Sequence, residues 1–338
     1  MNEPNPADPY TRFNPQTGLY EPVWWWREIM PFALYPDAQF TTGAMHVNAA
    51  GTPTPPFTYK LQHSSIGLDQ SQGNSLGNPL LINEIVFEDS TDTTAAANFT
   101  IMLKDLGDQT QFMNQPIHIR NFAGPAILVA GLSEPLFLPT RHNLLATFDK
   151  ISGAAVDMRM FFWGQMHYTW GTSLLTHPLD RAIMFARVNK FLERRKYIYP
   201  FYLTTETPII TLPANGSAEF DCLIGDDGHF EASHILKVAT SDKFAFEMFN
   251  PLTKQTYMNG PIEASGAIGD ARNPQELPVP IIVPAGQRIR MRFTDLSGSS
   301  NVIQVVLRGR KFRAPLKDWN EVMNDLAIKP LKHEAVNV

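Results

Sequence analysis

The sequence predicts an all-β protein made of two tandem eight-stranded jelly-roll β-sandwiches joined by a helical linker. Three observations carry this. A block of about 66 residues recurs downstream at a constant offset. Short apolar or alternating runs follow one another at sandwich spacing. Pro and Gly, 27 and 21 in number, are spread through the chain rather than pooled in one tract, as many strands joined by turns require.

The repeat comes first, because a missed repeat miscalls a fold. Phe99–Gly164 and Phe244–Gly309 align without a gap at 14 identical positions of 66, against about four expected by chance. Met113-Asn114-Gln115-Pro116-Ile117 matches Met258-Asn259-Gly260-Pro261-Ile262, and Gly124 matches Gly269. Pro139, Phe148, Ser152-Gly153 and Gly164 match Pro284, Phe293, Ser297-Gly298 and Gly309. Upstream the offset changes. Met30-Pro31-Phe32-Ala33-Leu34 resembles Tyr199-Pro200-Phe201-Tyr202-Leu203, so the first copy carries extra residues, assigned to the Gly/Ser/Asn-rich stretch Ser64–Asn78. The recurring residues have physical uses. Ser-Gly lies between two alternating runs, where a tight turn needs Gly. Gly164 and Gly309 interrupt a strand near its end, which predicts a bulge or a close backbone approach.

Strands are clearest in the second copy: 208–212, 218–224, 234–239, 244–249, 261–267, 277–283, 288–294 and 302–307. Arg288-Ile289-Arg290-Met291-Arg292-Phe293 alternates strictly, giving one polar and one apolar face. Eight strands fit a jelly roll and leave an immunoglobulin-like sandwich open. The domains read as an N-terminal arm 1–22, module 1 at 23–168, a helical linker 169–191, module 2 at 192–313, and a C-terminal arm 314–338 with a short helix near 316–327. The linker shows Pro178 at a first helical turn, apolar Ile183, Met184, Val188, Phe191 and Leu192 on one face, and Arg194, Arg195 and Lys196 at the end favoured by the helix dipole.

Composition bounds function. The 338 residues carry a net charge of −5, with 43% hydrophobic and 18% charged residues. That excludes a protein whose main task is gripping nucleic acid, which needs a basic surplus. One cysteine, Cys222, permits no internal disulfide and no Cys-based zinc site. Met1–Gln16 is polar and Pro-rich, with no signal-peptide pattern, and no run of 18 apolar residues occurs.

No catalytic motif stands out. The polar cluster Gly225–His234 carries Asp226, Asp227, His229, Glu231 and His234, but lacks the His-x-His pair of metal-binding cupins; Asp-Gly reads as turn chemistry. His63, His118, His142 and His167 fall on strands or strand ends and read as hydrogen-bonded or exposed. No catalytic residue, metal, cofactor or small-molecule substrate is expected. The interface candidates are Trp24, Trp25 and Trp26, which are costly on an open surface, and two basic tracts. The first holds Arg187, Arg194, Arg195 and Lys196; the second holds Arg310, Lys311 and Arg313. The Trp triplet reads equally as a local anchor of module 1 or as a contact with another subunit.

Two tandem jelly rolls with a short arm and a helical linker resemble the double jelly-roll capsid proteins of icosahedral bacterial viruses, over about residues 23–313. The single modules are also similar to β-sandwich decoration, neck or vertex proteins of tailed phages. The resemblance implies a virion structural protein that is made in the host cytoplasm. It implies homo-oligomers, trimers in which each module supplies one corner of a pseudo-hexagon, in contact with other virion proteins and without specific nucleic-acid recognition. A carbohydrate-binding sandwich is the competing binding-protein reading, and a cupin-like enzyme is disfavoured by the missing metal motif.

Overall fold

The computed structural model describes residues 11–14, 19–22, 29–34, 45–47, 57–62, 80–89, 98–124, 130–139, 142–153, 155–167 and 197–313. The helical linker and the C-terminal helix expected from sequence lie outside these residues. The N-terminal arm contains a hairpin of β1 (Thr11–Asn14) and β2 (Leu19–Pro22).

Module 1 runs through β3 (Ile29–Leu34), β4 (Met45–Val47), β5 (Phe57–Gln62), β6 (Leu80–Asp89), β7 (Phe99–Asp105), β8 (Ile117–His118), β9 (Ala130–Leu138), β10 (Asn143–Lys150) and β11 (Val156–His167). Module 2 runs through β12 (Ile198–Thr204), β13 (Ile210–Leu212), β14 (Ser217–Leu223), β15 (His229–Ala239), β16 (Phe244–Phe249), β17 (Ile262–Glu263), β18 (Gln275–Val283), β19 (Arg288–Asp295) and β20 (Asn301–Phe312). The sheets are β3-β11-β6-β9 with β5-β10-β7-β8, and β12-β20-β15-β18 with β14-β19-β16-β17; β4 and β13 extend β3 and β12 along the same neighbours. With those pairs counted as one interrupted strand, each module orders its strands 1-8-3-6 and 2-7-4-5. This is the jelly roll, with all ladders antiparallel, and the immunoglobulin alternative falls.

Alternation builds the core. On β19, Ile289, Met291, Phe293 and Asp295 are buried, while Arg288, Arg290 and Arg292 face outward against Asp221, Glu219 and Glu247 of the flanking strands. The aromatic repeats pack alike in both modules. Phe99 meets Phe148 at 5.9 Å between ring centroids, and their counterparts Phe244 and Phe293 meet at 6.3 Å. Such ring pairs each contribute about 1 kcal/mol beyond their buried area.

The recurring glycines behave as their positions predict. Gly153 and Gly298 take positive φ, +90° and +73°, in the turn between the last two strands. Gly164 on β11 and Gly309 on β20 each face a bulge of the neighbouring strand, at Asn83 of β6 and Ser233 of β15. A Cβ at either glycine would overlap a carbonyl oxygen, of Leu81 or of Glu231. Pro139 and Pro284 open the turn after β9 and β18, and their carbonyls accept the N–H of His142 and Gln287 at 3.1 Å each. Sequence read 261–267 as one strand. Only Ile262–Glu263 pairs, and Ala264–Ala267 winds into a one-turn helix, α2; α1 (Ile119–Phe122) is its counterpart in module 1.

Candidate functional site at the junction of the two modules

A second irregularity recurs in both modules. Glu84 of β6 pairs with Gly131 and Ile82 with Leu136, so Leu132-Ser133-Glu134-Pro135 bulges opposite the single residue Asn83. In module 2, His234 pairs with Glu276 and Ala232 with Ile281, so Leu277-Pro278-Val279-Pro280 bulges opposite Ser233. Four unpaired residues against one lift the chain out of the ladder as a finger.

The finger of module 1 docks on module 2. Strand β9 lies against β12 and β20. Ser133 Oγ donates to the carbonyl of Gly309 at 2.6 Å, and Arg308 Nη1 donates to the carbonyl of Gly131 at 2.9 Å. Arg310 lies 3.7 Å from Glu134 of module 1 and 3.0 Å from Glu231 of module 2. Arg308 is buried beside Tyr202, and burial pulls its guanidinium below the ordinary value.

Beside the finger, the Met-Asn-x-Pro segment clamps β12. Asn114 Nδ2 donates to the Thr204 carbonyl at 2.7 Å and Asn114 Oδ1 accepts the Thr204 N–H at 2.9 Å. The backbones of Asn114 and Tyr202, and of Tyr202 and Phe112, also pair. Gln304 closes the other side. Its Oε1 accepts from the His118 N–H at 2.6 Å and from Asn121 Nδ2 at 3.1 Å, and its Nε2 donates to the carbonyls of Pro116 and Pro208. Phe122 packs at a tilt on Tyr202, and Phe112 meets Tyr199 edge to face. One continuous apolar cluster therefore spans both modules, and Asn114, Gln304 and the Nη1 of Arg308 find partners across it, while Asn121 Oδ1 and the Nε atoms of Arg308 and Arg310 are buried without one.

The second basic tract is placed by this junction. Lys311, nearly fully buried, pairs with Asp227 and lies over the Phe201 ring. Burial pushes the Asp227 carboxyl up, but Lys311 and Arg313 outweigh it and hold the carboxyl below its usual range. Arg313 bridges the modules, 3.8 Å from Asp108 and 3.9 Å from Asp227. Arg310, Lys311 and Arg313 thus find carboxylates within their own chain. Trp24, Trp25, Trp26, Arg187, Arg194, Arg195 and Lys196 lie outside the described residues.

The Gly225–His234 cluster disperses: Asp227 and Glu231 go to Lys311 and Arg310, His229 Nδ1 accepts from the Ala285 N–H, and His234 meets Ser233. The group with metal-ligand spacing among the described residues is another one. Ligand atoms of Asp105, Asp108 and His142 lie within 4.8 Å of one another. His142 Nδ1 is 2.8 Å from Asp105 Oδ2, and burial raises the Asp105 carboxyl against that bond. Their counterparts in module 2 are Asn250, Thr253 and Gln287, where the Asn250 side chain accepts the N–H groups of Leu252 and Thr253. The same turn thus stands without ionised groups. A cleft of about 590 Å³ lies between α1 and the loops of module 2, lined by Arg120, Lys237, Asp242, Asp270, Arg272 and Asn273. Two of its cations are already paired, Lys237 with Asp242 and Arg272 with Asp270.

No protein-family model matches the chain, and no curated protein matches it. Solved structures that match include the CUB1-EGF-CUB2 domains of rat MASP-1 (8% identity, 79% of this chain and 97% of that one, TM-score 0.19). The coconut allergen cocosin matches at 10% identity over 88% and 93%, TM-score 0.17. The CBM22-1-CBM22-2 tandem domain from Paenibacillus barcinonensis Xyn10C matches at 8% over 80% and 86%, TM-score 0.15. Scores of this size establish no shared topology.

Proposed function

We propose that this chain is a virion structural protein, a capsid protein that self-assembles into trimeric capsomers of pseudo-hexagonal outline. The observation that carries the reading is the junction. Two jelly rolls of one topology are held side by side by a shared core, a docked finger and a paired asparagine clamp, so the chain offers two near-equivalent building units in one rigid block. Three such blocks supply six corners. The work of the second basic tract is spent inside the chain, in keeping with a role that does not depend on nucleic-acid recognition. Its partners are further copies of itself and other virion proteins.

Size-exclusion chromatography with light scattering, followed by electron microscopy of the assembled fraction, tests this. Trimers and larger closed particles are expected. A strict monomer at all concentrations would overturn the assignment.

A further inference from the structure

The docking device inside the chain is present a second time, without a partner among the described residues. The finger of module 2, Leu277–Pro280, corresponds to the docked finger Leu132–Pro135, yet Val279 is 75% exposed and neighbouring Ile282 is 58% exposed. Their counterparts are Glu134, which lies 3.7 Å from Arg310 of module 2, and Phe137, which is buried with Leu81 of its own module. The receptor is duplicated too. The docked finger sits on β20 around Arg308, Gly309 and Arg310; the corresponding residues of β11 are Trp163, Gly164 and Gln165. Phe32 pairs with Gly164 as Phe201 pairs with Gly309, so β3 flanks this receptor as β12 flanks the other. Trp163 is 45% exposed.

We infer that the Leu277–Pro280 finger of one copy docks on the Trp163–Gly164 face of β11 in a second copy, repeating between chains the contact that β9 makes with β20 within one. This deepens, and rests on, the assembly reading above.

Two further observations support it. Finger and receptor have changed together. Inside the chain Glu134 of the Leu-Ser-Glu-Pro finger meets Arg310, and Arg308 holds the Gly131 carbonyl beside it; on the free faces the Leu-Pro-Val-Pro finger carries no charge and the receptor offers Trp163 and Gln165. Each pairing matches charge with charge or uncharged with uncharged, and exchanging the fingers would set Glu134 against the uncharged Gln165 and Val279 against Arg310. The clamp is also retained. Asn114 serves to hold Thr204 of the neighbouring module, and its counterpart Asn259 is exposed with no side-chain partner among the described residues. An Asn kept at a position where its own module makes no use of it fits a neighbour outside the chain, at the end of β3. The two faces differ from each other, so the contact is heterologous and joins copies head to tail.

Val279→Asp blocks the finger and Trp163→Glu blocks the receptor. Light scattering on the full-length variants reads the outcome. Each alone is expected to lose self-association by about 30-fold or more, with an unchanged melting temperature. Mixed one to one, they should form a heterodimer and stop there, since the mixture holds one intact finger and one intact receptor per pair. Asn259→Ala, on an exposed side chain that cannot threaten folding, should weaken association in the same direction. Variants that assemble like the parent protein, or a mixture that yields no heterodimer, would overturn the docking and leave the assembly reading standing. A monomeric parent protein would overturn both.

Discussion

His118 should make the fold acid-sensitive well above the range in which carboxylates titrate. It caps α1: its Nδ1 accepts the Arg120 N–H at 3.2 Å, which leaves the proton on Nε2, 3.2 Å from Asn98 Oδ1. The ring is buried at the junction. Burial first, and the nearby Arg120 charge second, lower its pKa from 6.5 to about 3. The unfolded chain takes up this proton near pH 6.5 and the folded chain only near pH 3. The unfolded state therefore binds more protons across that window, and stability falls as pH falls. The contribution is intact above pH 6.5 and is lost at about 1.4 kcal/mol per pH unit below it, or about 2 kcal/mol by pH 5. Urea denaturation at pH 7.5, 6 and 5 measures this against His118→Asn. Asn accepts the same N–H as a helix cap but does not titrate. Groups that titrate in both proteins, His234 among them, cancel in the difference. Equal losses in the parent protein and in H118N would refute the argument.

Gly309→Ala and Gly164→Ala should each cost about 3 kcal/mol or more, read as a lowered melting temperature, because the new Cβ overlaps backbone of the adjacent strand. Asp227→Ala strands the buried Lys311 ammonium and should cost about 3–5 kcal/mol; Lys311→Met, which removes the charge but keeps the stem over Phe201, should cost clearly less in the same denaturation assay.

Much of the module was legible in the residues. Strict alternation in Arg288–Phe293 named the buried face of β19, because side chains along a strand alternate regardless of what the strand packs on. The recurrence of Gly164 and Gly309 named the bulges, since only Gly admits so close a backbone. The fingers were missed, although Leu132 and Pro135 recur as Leu277 and Pro280 in the same alignment. Nothing local separates a bulged strand from a paired one, because the bulge is defined by the register of β6 and β15. The one-turn helices were missed for a related reason: four residues are too few to show a helical period. Asn114 and Asn259 were matched, but their use was hidden, because the clamp closes on a strand 90 positions away.

The sequence by itself determined that there are two modules, that both are sandwiches, and which faces of their strands are buried, because periodicity and repetition are properties of the chain taken a few residues at a time. Tertiary structure decided which charges are spent and which surfaces stay open. Arg310, Lys311 and Arg313 read as interface candidates until Glu134, Glu231, Asp227 and Asp108 stood beside them. Val279 and Trp163 read as ordinary strand residues until their counterparts were found buried or paired. Such distinctions depend on distances between residues far apart in the chain, and no local pattern encodes them.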